Sequence, residues 1–160
     1  MRSAAVQLPL NRTYRWHSMR MGEPVVVWPP VLVPAPINLK KQNGVLLVPI
    51  LINNKISLDF VVDSGAADVS IPADVVLTLM RTETLTKEDF TGTNTYILAD
   101  GSKVPSQTFR IRSLKVGDLV LENVSGSIAS VDAPLLLGQS LLSRFKSWSI
   151  DNTRQILVLQ

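Results

Sequence analysis

An acidic residue directly follows an apolar stretch in the segment Phe60-Val61-Val62-Asp63-Ser64-Gly65. Packing alone does not favour a carboxylate there, because burying one without partners is costly. Ser64 supplies a hydroxyl group beside Asp63, and Gly65 lets the backbone turn sharply and approach another group closely. A simple Asx or Ser turn at the end of a strand could use the same residues. The tripeptide therefore indicates either a turn or an acid–base site.

Composition excludes several other chemistries. The chain has 160 residues, a formal net charge of +3, no cysteine and one histidine, His17. Thiol nucleophiles, thiolate metal sites and multi-histidine zinc sites are therefore excluded, and no metal or cofactor is expected. No stretch reaches the roughly 18 apolar residues that a membrane span requires, so membrane attachment would need a segment not present in this chain. The absence of cysteine fits any redox compartment and leaves the localisation open.

Charge and proline are unevenly distributed along the chain. Residues 1–43 contain six basic residues and one acidic residue (6 − 1 = +5), whereas residues 44–160 contain ten basic and twelve acidic residues (10 − 12 = −2). Six of the ten prolines lie between Pro9 and Pro36, where they disfavour an ordinary helix or a central strand. We therefore predict a Pro-rich basic arm or pro-segment at 1–43 and a folded domain at 44–160.

The role of the arm has several interpretations. A solvated tail explains its charge, and no nucleic-acid binding is expected because the arm lacks a basic-aromatic stripe. It could be a linker or a pro-segment that the protein removes by self-cleavage. Alternatively, Val25–Val27 and Val31–Val33 could pack on a dimer as an extra strand.

The remaining sequence predicts short strands. Asn53-Asn54, Asp100-Gly101 and Asp151-Asn152 are turn residues between apolar or alternating segments, which is typical of hairpins. Two short helices are predicted at Pro72–Met80 and Gly138–Phe145. The predicted strands are Val45–Ile52, Lys55–Val62, Asp68–Ile71, Thr93–Ala99, Lys103–Arg112, Leu119–Val124, Ser127–Val131 (separated from the preceding strand at Gly126), Pro134–Leu137, Ser147–Ile150 and Gln155–Leu159. This pattern favours an all-β barrel or sandwich with one or two helices.

Three motifs together resemble the retropepsins, the retroviral-type (clan AA) aspartic proteases. They are the hydrophobic–Asp–Ser–Gly–Ala motif ending at Ala66, the Ala99-Asp100-Gly101 hairpin, and the Leu-Leu-Gly-x-x-Leu-Leu run that begins at Leu136. The segment Ser149–Leu159 resembles an extra C-terminal hairpin of the cellular and bacterial members. The resemblance implies a retropepsin-like closed β-barrel, with one or two short helices and one lobe per chain.

Aspartic proteolysis needs two carboxylates that share one proton, because two like charges a few ångströms apart cannot both ionise. This chain has one Asp-Ser-Gly and is too short for two lobes. The sequence therefore predicts a homodimeric aspartic endopeptidase, in which Asp63 from each subunit activates a water molecule. The alternatives are a catalytically weak or inactive dimerisation or peptide-binding module with the same fold, and an unrelated small β-barrel binding domain.

The resemblance also implies roles for individual residues. Ser64 would hydrogen-bond across the dimer axis, Gly65 would contact the substrate backbone, and the hairpin tip would be a flap that closes over an extended peptide. Leu137 and Gly138 would pack beneath the active-site loop. The predicted catalytic group is Asp63, Ser64 and Gly65, and the predicted substrate-binding group is Ala66, Ala67, Asp68, Ala99, Asp100, Gly101, Leu137 and Gly138.

The sequence departs from the retroviral pattern at two positions. Retroviral enzymes usually carry an acid after the motif's alanine and an arginine after the late glycine, and these two residues pair. Here the positions hold Ala67 and Gln139. Both charged partners are absent, so neither charge is left buried without its partner. Asp68 lies one residue later; it could compensate, or it could be a surface acid or a cap on the approach to the following helix.

Overall fold

The computed structural model describes residues 35–160. The strands are β1 (Ile37–Asn38), β2 (Lys40–Gln42), β3 (Val45–Ile52), β4 (Ile56–Val62), β5 (Val69–Pro72), β6 (Phe90–Ile97), β7 (Lys103–Val116), β8 (Leu119–Ala129), β9 (Leu136–Leu137), β10 (Trp148–Asp151) and β11 (Ile156–Leu159). The α-helices are α1 (Ala73–Arg81) and α2 (Gln139–Leu142), and a 3-10 turn spans Lys87–Asp89. Neither α-helix of the described part is long and apolar enough to cross a lipid bilayer.

Most strands form one eight-stranded sheet in the order β2-β3-β4-β9-β5-β8-β7-β6. An additional pairing of β3 with β7 closes β3, β4, β9, β5, β8 and β7 into a ring, which leaves β2 and β6 as edges. The interior of this ring is filled by fully buried side chains, among them Phe60, Phe109 and Ile111. The predicted all-β, barrel-like fold with two short helices is confirmed.

Local chemistry explains the hairpin that leads to Asp63. In β3 and β4, Val48, Ile50 and Phe60 are fully buried, as expected for strands that each turn one face towards the core. Asn53 and Asn54 between them both adopt positive φ angles (47° and 56°), a conformation that asparagine tolerates in tight hairpin turns. The predicted boundaries of β3 agree with the observed ones, and β4 begins one residue later than predicted.

The predicted break at Gly126 is wrong, because β8 runs through this glycine as one continuous strand. Gly126 pairs with Phe109 of β7. A Cβ atom at position 126 would lie 2.7 Å from the Phe109 ring. The glycine therefore makes room for a core aromatic side chain instead of ending the strand.

Two short strands lie on the N-terminal side of residue 44. β1 pairs with β11, and together with β10 they form a separate three-stranded sheet. β2 pairs with β3, and Ile37 and Leu39 are buried in the core. Residues 37–42 are thus part of the folded sheets, whereas Val25–Val27 and Val31–Val33 lie outside the described residues.

Candidate active site

Asp63 lies directly after β4, beside the end of β9. These two strands run parallel, with Val61 opposite Leu136 and Val62 opposite Leu137. The Asp63 amide donates a hydrogen bond to the Leu137 carbonyl (3.1 Å) and so continues the pairing to the end of the strand. Leu137 itself is fully buried. The β4–β9 pair therefore sets the position of the Asp63 backbone from the core side.

Residues 63–68, which we call the active-site loop, turn sharply after Asp63. The Gly65 amide donates to Oδ1 of Asp63 (2.8 Å), and the Ala66 amide donates to the Asp63 carbonyl (3.4 Å). Asp63 is half-buried, whereas Ser64 and Gly65 are exposed. A Cβ atom at position 65 would lie 3.2 Å from Oδ1 of Asp63, so glycine gives this bond the room it needs. The carboxylate is oriented by its own loop and remains accessible to another molecule.

Helix α2 holds the other side of the active-site loop. Its first amides have no partners within the helix, and they donate to loop carbonyls instead: Gln139 N–H to Ala66 and Ser140 N–H to Ala67, both at 2.8 Å. Gly138 precedes the helix, and a Cβ atom there would lie 2.2 Å from the Asp68 carbonyl oxygen. Only glycine permits this approach, so Gly138 has a packing role next to the loop.

The side chains of Gln139 and Ser140 add further contacts to the same region. Nε2 of Gln139 donates to the Ser64 carbonyl (2.9 Å). Oγ of Ser140 accepts from the Val69 amide (3.0 Å) and donates to the Ser125 carbonyl (2.7 Å). Gln139, which replaces the arginine of the retroviral pattern, thus contacts the loop backbone through a neutral amide. This contact requires no acidic partner at position 67.

Asp68 accepts a hydrogen bond from the hydroxyl of Tyr96 on β6 (2.5 Å to Oδ2). The alternative that Asp68 caps the following helix is wrong, because Pro72 occupies the N-cap of α1. Burial raises the pKa of Tyr96 above its ordinary value of 10.0, and the bond to Asp68 raises it further, against smaller opposing hydrogen bonds of Ser127 and Asn94. Tyr96 therefore stays protonated and remains a donor at neutral pH.

Residues 96–104 at the end of the β6–β7 hairpin form the segment that we call the flap. The Leu98 amide donates to the Ser102 carbonyl and the Gly101 amide to the Leu98 carbonyl, both at 2.9 Å. The Ser102 amide donates to Oδ1 of Asp100 (2.9 Å). Hydrogen bonds from Ser102 hold the pKa of Asp100 below its ordinary value of 3.8. The turn is thus stabilised by bonds within itself.

The flap exposes apolar side chains. Ile97 is 71% exposed and Leu98 is 50% exposed, although such residues are usually covered. Ala99, Asp100 and Gly101 are also exposed. Among the hydrogen bonds of residues 35–160, none joins these three tip residues to the active-site loop; the flap reaches the loop through Tyr96.

Comparisons with known proteins identify the family. Residues 48–144 match the family model described as "gag-polyprotein putative aspartyl protease", and this match covers more than half of the chain. The chain belongs to the retropepsin-like aspartic proteases. A crystal structure of a retropepsin-like aspartic protease from Rickettsia conorii is similar, with 26% sequence identity, a TM-score of 0.56, and coverage of 77% of this chain and 87% of that chain. None of the curated proteins compared with the chain matches it significantly.

In this retropepsin-like chain, most of the predicted site residues lie together. Asp63 to Asp68 form one loop, and Leu137 and Gly138 adjoin it through β9 and the start of α2. The flap tip residues lie on a separate hairpin. Sequence reasoning did not assign roles to Tyr96, Gln139 and Ser140. Of these three residues, only Tyr96 stands out in the sequence, because it is a single large aromatic residue directly after the polar run Thr93–Thr95.

Proposed function

We propose that this protein is a homodimeric aspartic endopeptidase in which each subunit contributes one Asp63. The observation that carries the proposal is the geometry of Asp63, an accessible carboxylate held at the end of two parallel strands by the Gly65 amide. One chain supplies one such carboxylate, and the chemistry requires two. A second copy related by a two-fold axis is the simplest source of the other.

In the proposed mechanism, the two Asp63 carboxylates share one proton. The ionised carboxylate accepts a proton from a water molecule as the water oxygen attacks the scissile carbonyl carbon. The protonated carboxyl group donates its proton to the carbonyl oxygen, which gives a tetrahedral intermediate. The carboxyl group that took the proton from water then donates it to the amide nitrogen, a hydroxyl proton of the intermediate returns to the other carboxylate, and the C–N bond breaks. Ser64 would hydrogen-bond across the dimer axis, and Gly65 would contact the substrate backbone.

An extended peptide is the substrate that the surroundings of the loop suit best. A peptide strand laid between the active-site loop and the flap would form main-chain hydrogen bonds and place its side chains alternately. Ala66, Ala67, Asp68 and the flap tip Ala99-Asp100-Gly101 are the proposed contacts. The exposed Ile97 and Leu98 would lose water contact when the flap closes, which favours peptides with apolar side chains.

The first experiment replaces the proposed acid. Asp63→Asn removes the shared proton, so we expect peptide cleavage between about pH 4 and 7 to fall by at least about 10²-fold. The matched control is Asp59→Asn, the same replacement four residues earlier on β4, where the carboxylate forms a salt bridge with the exposed Lys40 (2.9 Å). Equal cleavage by wild type and Asp63→Asn would reject Asp63 as the catalytic group.

A second experiment tests whether the site needs two chains. Wild-type subunits are mixed with increasing amounts of Asp63→Asn subunits at constant total concentration and allowed to exchange. If each site uses Asp63 from both subunits, activity falls as the square of the wild-type fraction. A linear decrease, or sedimentation as a monomer under conditions of full activity, would contradict the dimer. Peptide binding without any cleavage by wild type would favour the non-catalytic module.

The same proposal extends to the domain organisation. The arm is a linker or a pro-segment removable by self-cleavage, and the buried, paired Ile37 and Leu39 restrict such a cut to positions before Ile37. Incubation of the purified wild-type chain should then produce new N-termini that precede Ile37, whereas Asp63→Asn should keep the arm. An intact arm in wild type, while added peptides are cut, would contradict self-removal.

A further inference from the structure

The geometry points to Tyr96 as a positioning residue that fixes the flap relative to the active-site loop through Asp68. This inference rests on the proposed function, because it assigns Tyr96 to the control of peptide access to Asp63. It depends on one hydrogen bond between two parts of the chain that are 28 residues apart, with 2.5 Å between the Tyr96 hydroxyl and Oδ2 of Asp68.

The Asp68 end of this hydrogen bond is held firmly. The Asp68 carbonyl packs so closely on Gly138 that no Cβ atom fits between them. The next amide, that of Val69, donates to Oγ of Ser140, and Val69 itself is fully buried. The backbone of Asp68 is therefore anchored by the core and α2, independently of the flap.

The Tyr96 end belongs to an element with few other attachments. β6 is an edge strand whose neighbour in the sheet is β7. Tyr96 is half-buried, whereas Thr93, Asn94, Thr95 and Ile97 around it are exposed. Its ring is thus the side chain of this stretch that turns inward, and it lies two residues before the Leu98–Ser102 turn.

The chemistry of the pair suits a lasting connection. A tyrosine hydroxyl that donates to a carboxylate forms a charge-assisted hydrogen bond, which is stronger than a neutral one. The Tyr96 side chain has only two rotatable torsions and a rigid ring. Holding its hydroxyl group in place therefore also restricts the movement of β6, which carries it. Losing the bond would let the flap base separate from the loop and would weaken the enclosure of a bound peptide.

Tyr96→Phe keeps the ring and removes the donor. We expect kcat/KM for peptide cleavage to fall about tenfold, mainly through a higher KM, because the acid at Asp63 is untouched. Asp68→Ala should lose at least as much, because Asp68 is also a proposed substrate contact, and the double variant should be no worse than Asp68→Ala alone. Asp68→Asn retains an oxygen acceptor for the Tyr96 hydroxyl and should recover part of the loss. The matched control is Thr91→Val, which removes a hydroxyl on the same strand that hydrogen-bonds to Thr108 of β7 (3.0 Å) and not to the active-site loop.

A second measurement does not depend on catalysis. Amide hydrogen exchange in residues 97–104 of the free protein should be faster in Tyr96→Phe than in wild type, with no such increase in Thr91→Val. Exchange or kinetics of Tyr96→Phe that match those of Thr91→Val, or additive losses in the double variant, would overturn the inference. If wild type cuts nothing while Tyr96→Phe still accelerates exchange, the proposed protease function fails and the connection between flap and loop stands.

Discussion

The active-site loop and the flap are held in place in different ways. The loop lies between β9 and α2, and main-chain groups of both elements hydrogen-bond to it, as the amides of Gln139 and Ser140 do. Within residues 35–160, the hydrogen bonds that stabilise the flap turn join residues 98–102 to one another. Its apolar side chains face solvent, whereas Leu137 beneath the loop is fully buried.

The two ways of anchoring suit the two tasks that the proposed function assigns to these regions. The proposed acid–base chemistry requires a carboxylate held to within a fraction of an ångström, and the bonds of the loop to α2 and β9 are consistent with that requirement. A cover over a peptide must open and close, so an edge hairpin with few outside contacts suits it. Regions that open readily are expected to have few buried apolar contacts, as the flap does.

The largest expected difference between the two regions is in how much stability each loses when its glycine is replaced by alanine. In Gly138→Ala, the new methyl group would collide with main-chain oxygens of Asp68 (2.2 Å) and Ala66 (2.7 Å). Because the backbone cannot move aside as a side chain can, we expect the free energy of unfolding to fall by about 3 kcal/mol.

Gly101→Ala is the matched replacement in the flap. The new methyl group would have no atom within 4 Å, and the cost comes from placing alanine at a φ of +83°. We expect this strain to lower the free energy of unfolding by about 1 kcal/mol. Denaturant unfolding of both variants measures the difference. Similar losses would mean that the start of α2 yields as easily as the flap turn and that the two regions do not differ in rigidity.

A smaller loss of stability is expected when the side-chain contact between α2 and the active-site loop is removed. Gln139→Leu keeps the size of the side chain and removes the hydrogen bond to the Ser64 carbonyl, so we expect a loss of about 1 kcal/mol. Gln107→Leu on β7, where the glutamine is exposed, is the control and should change stability by less than about 0.5 kcal/mol. Equal effects would show that the Gln139 amide contributes no specific stabilisation to the loop.

Much of the fold could be predicted from local patterns. The boundaries of β3 follow from a single apolar run that ends at Asn53, and the last hairpin follows from Asp151-Asn152 between two apolar segments. Here turn chemistry and hydrophobic pattern agree, and long-range contacts only reinforce them. The break predicted at Gly126 was wrong because a glycine needed for close approach looks the same in sequence as one that ends a strand.

The candidate site could be predicted only where residues are close in sequence. Asp63 to Asp68 are contiguous, so their common loop was evident from the motif. The partnership of Gln139 with the Ser64 carbonyl spans 75 residues, and that of Tyr96 with Asp68 spans 28. Hydrogen bonds of this kind leave no periodicity or composition signal, since any donor at the right place in space would serve.

The smallest expected effect concerns the acid in the flap turn. Because Ser102 holds the pKa of Asp100 below 3.8, the ionised carboxylate stabilises the turn fully above that pH, and the contribution is lost as the pH falls through the lowered pKa. In an NMR titration, the Ser102 amide signal should therefore move with a midpoint below 3.8, and this movement should vanish in Asp100→Asn. The amides of Gln139 and Ser140 should titrate identically in wild type and Asp100→Asn, because the active-site loop has its own main-chain partners. A midpoint at or above 3.8, or a change at Gln139 and Ser140 when Asp100 is replaced, would mean that the flap turn is not stabilised independently of the loop.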